Sequence, residues 1–450
     1  MPVTHEENPV SVSGNNRTKQ IGETLEWVER AVWTDRMLQT LVKGVKGGVW
    51  FSLIDKVYSR QNLEASYRKV RSNGGRSGVD HISVEAFGKR LAEEIEQLHT
   101  ELREGKYKPQ RILRVNIPKP GTSKQRPLGI PRIRDRVVQT ALRNVLEPIF
   151  EIGFHDQSHG FRPGHNCKDA LREVDRLLKD GYLWVVDVDL ESYFDTIPHK
   201  PLLNMIEEKV ADSRILELVR TTLKQEVLSD LGSWTPEMGS PQGAVISPLY
   251  SNIYLNPLDY HMSESGYRMV RYADDAVVLC QSKEDAQHAL AELQVWTQEK
   301  HLKLHPEKTC IVDMISSKGL DFLGYHFESS RHHVGKINRW PRNKSMNKLR
   351  ENIRKHTKRT NGKSMPEIIK RTNHILRGWF NYYQHSHRYT FSGVDGWVRM
   401  RLRSILRKRM KKRGVGKGSD HQRWPNNYFR DLGLFSTVDA RASLMQSSMR

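Results

Sequence analysis

Two adjacent aspartates, Asp274 and Asp275, sit between an apolar run that ends at Tyr272 and a second one, Ala276-Val277-Val278-Leu279-Cys280. A pair placed this way lies at the tip of a hairpin and brings two carboxylates together at one edge of a sheet. Like charges about 4 Å apart repel by roughly 1 kcal/mol in water and about 4 kcal/mol at an effective dielectric of 20. A proton or a cation must relieve that repulsion. A hard divalent ion such as Mg²⁺ is suited to the task, because it binds one or two carboxylates together with substrate phosphates. A solvated Asp-Asp turn is the plain alternative for the pair alone.

A second run sharpens the reading. Residues 183–190 (LWVVDVDL) are strand-like, and Asp187 and Asp189 fall on one face by the period of two. An apolar strand has no packing use for two carboxylates. Pairing it with the Asp-Asp hairpin would assemble a cluster of three carboxylates at the sheet edge. Such a cluster can hold two Mg²⁺ ions that assist in-line displacement at phosphorus.

The elements needed to position these groups are visible in the pattern. Helical periodicity dominates residues 20–105, with helices expected over 50–70 and 84–102 around a Gly/Ser-rich loop at 72–78. A β-type run at 111–117 leads into the Pro/Gly segment 118–131. Helices are expected over 201–209, 215–224, 247–258 and 283–300, and a hairpin over 267–281. This order gives an α+β domain with an antiparallel sheet. After residue 330 the character turns helical and basic, with a weaker boundary near 412.

Composition bounds the class. The 450 residues suffice for two or three domains. The formal net charge of +21 attracts polyanions, nucleic acid first among them. No apolar run reaches the roughly 18–20 residues of a membrane-spanning helix, and the polar N-terminus carries no signal core, so a cytoplasmic protein without membrane attachment is expected. Its first 20 residues are expected to be poorly ordered. Cys167, Cys280 and Cys310 form no CxxC pair, which excludes a zinc ribbon or disulfide scaffold.

Tyr-Ala-Asp-Asp at 272–275 resembles the YxDD signature of reverse transcriptases, and residues 185–199 (VVDVDLESYFDTIPH) resemble their first palm motif. Residues 126–133 (RPLGIPRI) and 158–164 (SHGFRPG) look like fingers motifs, 239–248 (GSPQGAVISP) like the segment beside the incoming nucleotide. Residues 305–309 (HPEKT) and 322–327 (FLGYHF) resemble the motifs that follow the hairpin. Their order and spacing are those of group II intron-encoded reverse transcriptases of the bacterial type, from about residue 50 to 440.

The resemblance implies a right-hand polymerase, with fingers and palm at 50–330, a helical thumb or X domain at 331–412, a short DNA-binding region at 413–450, and a partly disordered extension at 1–49. It implies an RNA-directed DNA polymerase that copies intron RNA from a DNA primer with dNTPs and two Mg²⁺ ions, Mn²⁺ being a substitute, and that assists splicing in the bacterial cytoplasm or nucleoid. No HNH endonuclease pattern follows, so the primer is expected to come from elsewhere. Monomer and dimer stay open. A defence-associated or retron-like enzyme, or an RNA-binding splicing factor alone, are the competing readings.

Carried over position by position, Asp189, Asp274 and Asp275 resemble the metal-binding aspartates, with Leu190 beside them and Asp187 a lesser candidate. Phe194 resembles the gate that excludes a ribose 2′-OH, with a core aromatic as its alternative. Gln242 resembles the residue packed on nucleotide and primer-template, flanked by a glycine that admits close backbone approach. Arg126, and then Lys124 and Lys119, are candidates to hold the triphosphate, since the guanidinium fork suits phosphate oxygens. Arg162 is a candidate nucleic-acid contact. Residues 399–413 hold nine Lys or Arg and no acid, and Arg399, Arg401, Arg403, Arg407, Lys408 and Arg409 are expected to meet phosphates. The nearby aromatics at 379–383 could stack on bases or form core, and His385 and His387 lack the cysteines a zinc site would add.

Overall fold

The computed structural model describes residues 25–45, 47–118, 125–316, 319–330, 336–416 and 418–447. Lys119, Lys124 and most of the N-terminal extension lie outside them. The described chain forms two compact units. One comprises Met1–Glu173, Val186–Val278 and Gln287–Cys310, the other Val174–Val185, Leu279–Ala286 and Ile311–Arg450. The second of these units includes the stretch from Ile311 onward.

In the first unit, β1 (Ile112–Pro118) and β2 (Gln125–Ile130) pair antiparallel, with Ile117 opposite Arg126. β4 (Val227–Ser229) runs parallel to β1 and turns back into β5 (Gly232–Trp234). The expected helix over 50–70 is two helices, Ile54–Tyr58 and Arg60–Asn73. Ser59 leaves helical geometry between them and accepts from the Asn62 amide, which makes it an N-cap. The helix expected over 84–102 likewise divides at Arg90 into Val84–Lys89 and Leu91–Arg103.

The third sheet carries the candidate residues Asp189 and Asp275. β3 (Trp184–Asp189), β6 (Arg268–Tyr272), β7 (Asp275–Cys280) and β8 (Cys310–Asp313) stand in the order β6-β7-β3-β8. Val186, Val188, Val270, Val277 and Val278 are buried, as the apolar runs require. The helix Ser247–Glu264 is buried almost all round, so it shows no amphipathic stripe. Asn252 and Asp259, seven residues apart, fall on one of its faces.

In the second unit, β9 (Leu320–Phe322), β10 (Tyr325–Ser329) and β11 (Ile337–Pro341) form an antiparallel sheet. The basic helices Asn343–His356, Met365–Tyr383 and Arg388–Arg409 follow. Trp379, Phe380 and Tyr383 are buried and pack on Phe391 and Tyr325, so these aromatics are core. Among the described residues, no helix is long and apolar enough to cross a membrane.

Candidate active site

The Asp-Asp turn is the tightest point of the β6–β7 hairpin. Ala273 holds φ 59°, the left-handed conformation that a two-residue connection demands. Arg271, 1% exposed, holds that turn from behind. Its Nε donates to Asp259 Oδ1 at 2.7 Å and its Nη1 to the Ala273 carbonyl at 2.9 Å and to Asn252 Oδ1 at 3.0 Å. A buried charge is tolerated only with such partners. The fingers-like segment joins the same edge, since the His159 amide donates to the Arg271 carbonyl and the Arg271 amide to Gln157. Gly160 is required there, because a Cβ would lie 2.1 Å from the Ala273 nitrogen.

Asp275 opens β7 and is exposed, Asp274 is half-buried, and Asp189 ends the neighbouring strand β3. Burial raises the Asp274 carboxyl above the ordinary aspartate range. Its own backbone amide, Arg126 and Arg271 act against that rise, and the charge of Asp189 adds to it. The two strands thus bring Asp189 and Asp274 within electrostatic reach. Among the described residues, no group of three or more His, Cys, Asp or Glu side chains is gathered closely enough to hold a metal ion, Asp189, Asp274 and Asp275 included. Carboxylates are the donor type that a hard cation takes, and the Asp189 carboxylate is already paired with an ammonium. Lys308 Nζ donates to both Asp189 oxygens at 2.9 Å. Thr309 joins the Asp189 backbone through its hydroxyl. Leu190 bridges to Leu304, its neighbours Asp189 and Glu191 making the backbone bonds to His305 and Lys303. Asp187 lies beside Cys310, whose thiol is raised first by burial and then by that charge.

The two loops expected around a nucleotide do meet. Arg126 Nε donates to Gln242 Oε1 at 2.9 Å, and the Gly129 amide to the Gln242 carbonyl at 2.6 Å. Gly243 holds φ 106°, and a Cβ there would lie 2.6 Å from the Gly129 oxygen. A cleft of 280 Å³ opens here between Arg114, Gly129, Asp195, Ser240, Pro241 and Gln242. Burial raises the Asp195 carboxyl, and Arg114 and Arg126 hold it down. Phe194 is 6% exposed, edge-on to Tyr193 and Phe161, with its carbonyl bound by the Ser240 amide.

Several basic candidates turn inward. Arg162 is 8% exposed and donates to Glu151 and to the carbonyls of His155 and Ser158, so it braces the loop under the hairpin instead of facing a phosphate. Arg403 is 2% exposed, bound to the Trp424 carbonyl and Asn426. Arg401 caps the end of a helix at Thr357, Arg407 holds Asp420 and the Arg413 carbonyl, and Arg409 donates to the Lys363 carbonyl. Arg399 lies 3.9 Å from Asp395. Of the six expected phosphate contacts, Lys408 and Arg409 are exposed. The spacing of charge along the helix could not reveal this, because the partners are carbonyls from remote loops. Arg271, Asp259 and Lys308 are site residues that the sequence reading did not single out. An arginine inside an apolar strand next to the signature was the available signal for the first.

Residues 117–327 match the family model described as reverse transcriptase (RNA-dependent DNA polymerase), and residues 346–424 match the group II intron, maturase-specific domain. The chain carries a reverse transcriptase domain followed by a group II intron maturase domain. It is 41% identical over 207 residues to Protein YkfC of Escherichia coli K12, covering 45% of this chain and 54% of that protein. It is 37% identical over 196 residues to the group II intron-encoded protein LtrA of Lactococcus lactis subsp. cremoris, covering 43% of this chain and 32% of LtrA. An uncharacterized 91 kDa protein in the cob intron of Schizosaccharomyces pombe is 29% identical over 418 residues, covering 74% of this chain and 50% of that one. The chain therefore spans about a third to a half of these relatives.

Proposed function

We propose that the chain is an RNA-directed DNA polymerase of a group II intron, which copies intron RNA from a DNA primer with dNTPs and also binds the intron RNA as a maturase. The observation that carries the reading is the juxtaposition of Asp189 with the Asp274-Asp275 turn across adjacent strands. Divalent ions, Mg²⁺ or Mn²⁺, would be held by Asp189, Asp274 and Asp275 with Leu190 beside them, and when bound would lower the pKa of a primer 3′-hydroxyl and neutralise charge on the phosphates. In the reaction the 3′ oxygen forms a bond to the α-phosphorus, the bond to the β-phosphate oxygen breaks, and pyrophosphate leaves.

The chain's own residues supply position. Arg271 and Asp259 fix the turn, so Asp274 and Asp275 point from a rigid base. Lys308 holds both Asp189 oxygens through its ammonium, which a divalent ion at this carboxylate would share or displace. Arg126 offers its fork beside Gln242 to the triphosphate, and Phe194 closes the sugar side against a 2′-hydroxyl. The domain limits 50–330, 331–412 and 413–450 are proposed on the same footing, with the two family matches falling on either side of residue 330.

The test is extension of a DNA primer on an RNA template. The Asp274→Ala, Asp275→Ala chain is expected to lose more than about 10³-fold in rate, the several kcal/mol that metal stabilisation supplies. RNA affinity should persist. Extension at the parent rate would leave only the RNA-binding reading.

A further inference from the structure

In the second unit a pocket of 370 Å³ opens between β11 and the start of the helix Arg388–Arg409, with the helix Thr437–Ser447 contributing Arg441. Lys336, Arg339, His385, His387, Arg388 and Arg441 line it, and no carboxylate does. Two acids lie behind. Asp175 pairs with Arg339 at 3.1 Å and with Lys179. Glu328 acts weakly on His387. The Arg388 guanidinium donates to the Tyr389 hydroxyl, and Arg441 lies over the Phe391 ring.

The cations crowd one another. Burial lowers the affinity of His387 for a proton, and Arg388, Arg441 and Lys336 lower it further. Arg441 is disfavoured in the same way by burial and by Arg339 and Arg388. Folding therefore concentrates like charge here at an energetic penalty that a bound anion would remove. At the rim, Tyr389 is 62% exposed, its ring 5.1 Å from His387 and tilted by 56°, and His387 in turn lies 4.4 Å from Trp340, tilted by 39°. A large exposed aromatic packed against other rings beside a cation pocket has the form of a base platform.

We infer that this pocket binds one nucleotide of a single-stranded RNA, the phosphate among Lys336, Arg388 and Arg441 and the base on Tyr389. This rests on the nucleic-acid reading above but not on the polymerase site. It differs from the run at 399–413, where Arg401, Arg403, Arg407 and Arg409 donate to acceptors within the protein.

The experiment uses the full chain carrying Asp274→Ala and Asp275→Ala, a fluorescein-labelled twelve-nucleotide uridine RNA, and anisotropy at several salt concentrations. Lys336→Gln with Arg388→Gln should make the salt slope shallower by about 1.4, the counterions of two contacts on a single strand. Tyr389→Ala should weaken binding about 5-fold or more at an unchanged slope. All three residues are exposed or at the surface, and a thermal melt controls for folding. An unaltered slope, or Tyr389→Ala with parent affinity, overturns the inference. So does uridine monophosphate binding as tightly as the oligomer and equally lost in the Arg388→Gln chain, which would make the occupant a free nucleotide. Polyglutamate displacing the RNA through the same residues would assign an acidic protein instead. A parent chain that copies RNA while these variants change nothing sinks this site alone. Variants that behave as expected, when the chain with Asp274 and Asp275 intact copies nothing, sink the polymerase alone.

Discussion

The hairpin of β6 and β7 and the helix Arg388–Arg409 each bury an arginine, Arg271 at 1% and Arg403 at 2% exposure. They use it for opposite ends. Arg271 is matched by a buried acid, Asp259, and spends a remaining donor on the carbonyl of Ala273, so that two neighbouring acids stand at the surface of the sheet edge. Arg403 meets a carbonyl and an amide oxygen and ties a loop to the helix, leaving no charge on display. In the first region the arginine holds a turn that presents other charges, and in the second it ties a loop to a helix. A run of charge in a sequence therefore says little about a surface until the donors already used inside the protein are subtracted.

Replacing each arginine should break that comparison most visibly. Arg271→Ala leaves Asp259 buried without its partner and is expected to destabilise by about 3–5 kcal/mol in urea unfolding. Arg271→Lys should recover only part, since an ammonium cannot reproduce the two-pronged contact. A loss under 1 kcal/mol for the alanine chain would mean the pair does not hold the turn. Arg403→Ala should cost about 1–3 kcal/mol, the penalty of leaving buried acceptors unsatisfied, while the salt slope of RNA affinity stays the same. Lys408→Gln should do the reverse, with stability within about 0.5 kcal/mol and a slope shallower by about 0.7–0.9. If Arg403→Ala changes the slope, the second region does face nucleic acid after all.

The smallest expected effect concerns pH. Under the hairpin, burial lowers His159 to about 4, with His165 adding to the shift, and burial raises Glu151 to about 7 against the pull of Arg162. For His159 the unfolded chain binds more protons between about 4 and 6.5, so its contribution is complete above 6.5 and is lost as pH falls. For Glu151 the folded chain binds more protons between about 4.5 and 7, so stability falls as pH rises through that window. The two slopes oppose each other. Glu151→Gln removes the falling one and should leave stability rising with pH from 4 to 6.5. A flat profile in that variant would mean His159 is not held neutral by the fold.

Much of the candidate site was legible because its signals are local. Period-two strands, an Asp-Asp pair between them and the glycines at close approaches each leave a mark within a few residues, as Asp189, Asp274 and Gly243 illustrate. The elements broke where a single residue chose a cap, as Ser59 did. What stayed hidden depends on distant partners. Lys308 reaches Asp189 across 119 positions. Arg401, Arg403 and Arg407 are spent on loops whose approach no periodicity encodes. The long helix Ile133–Glu151 escaped because it is buried nearly all round and shows no stripe.

The direct test of the central claim is a count of bound Mn²⁺ by electron paramagnetic resonance, on the chain loaded with an RNA template, a DNA primer lacking its 3′-hydroxyl, and dNTP. The account predicts two ions on the parent and fewer than one on the Asp274→Asn, Asp275→Asn chain. The same count on both would contradict it.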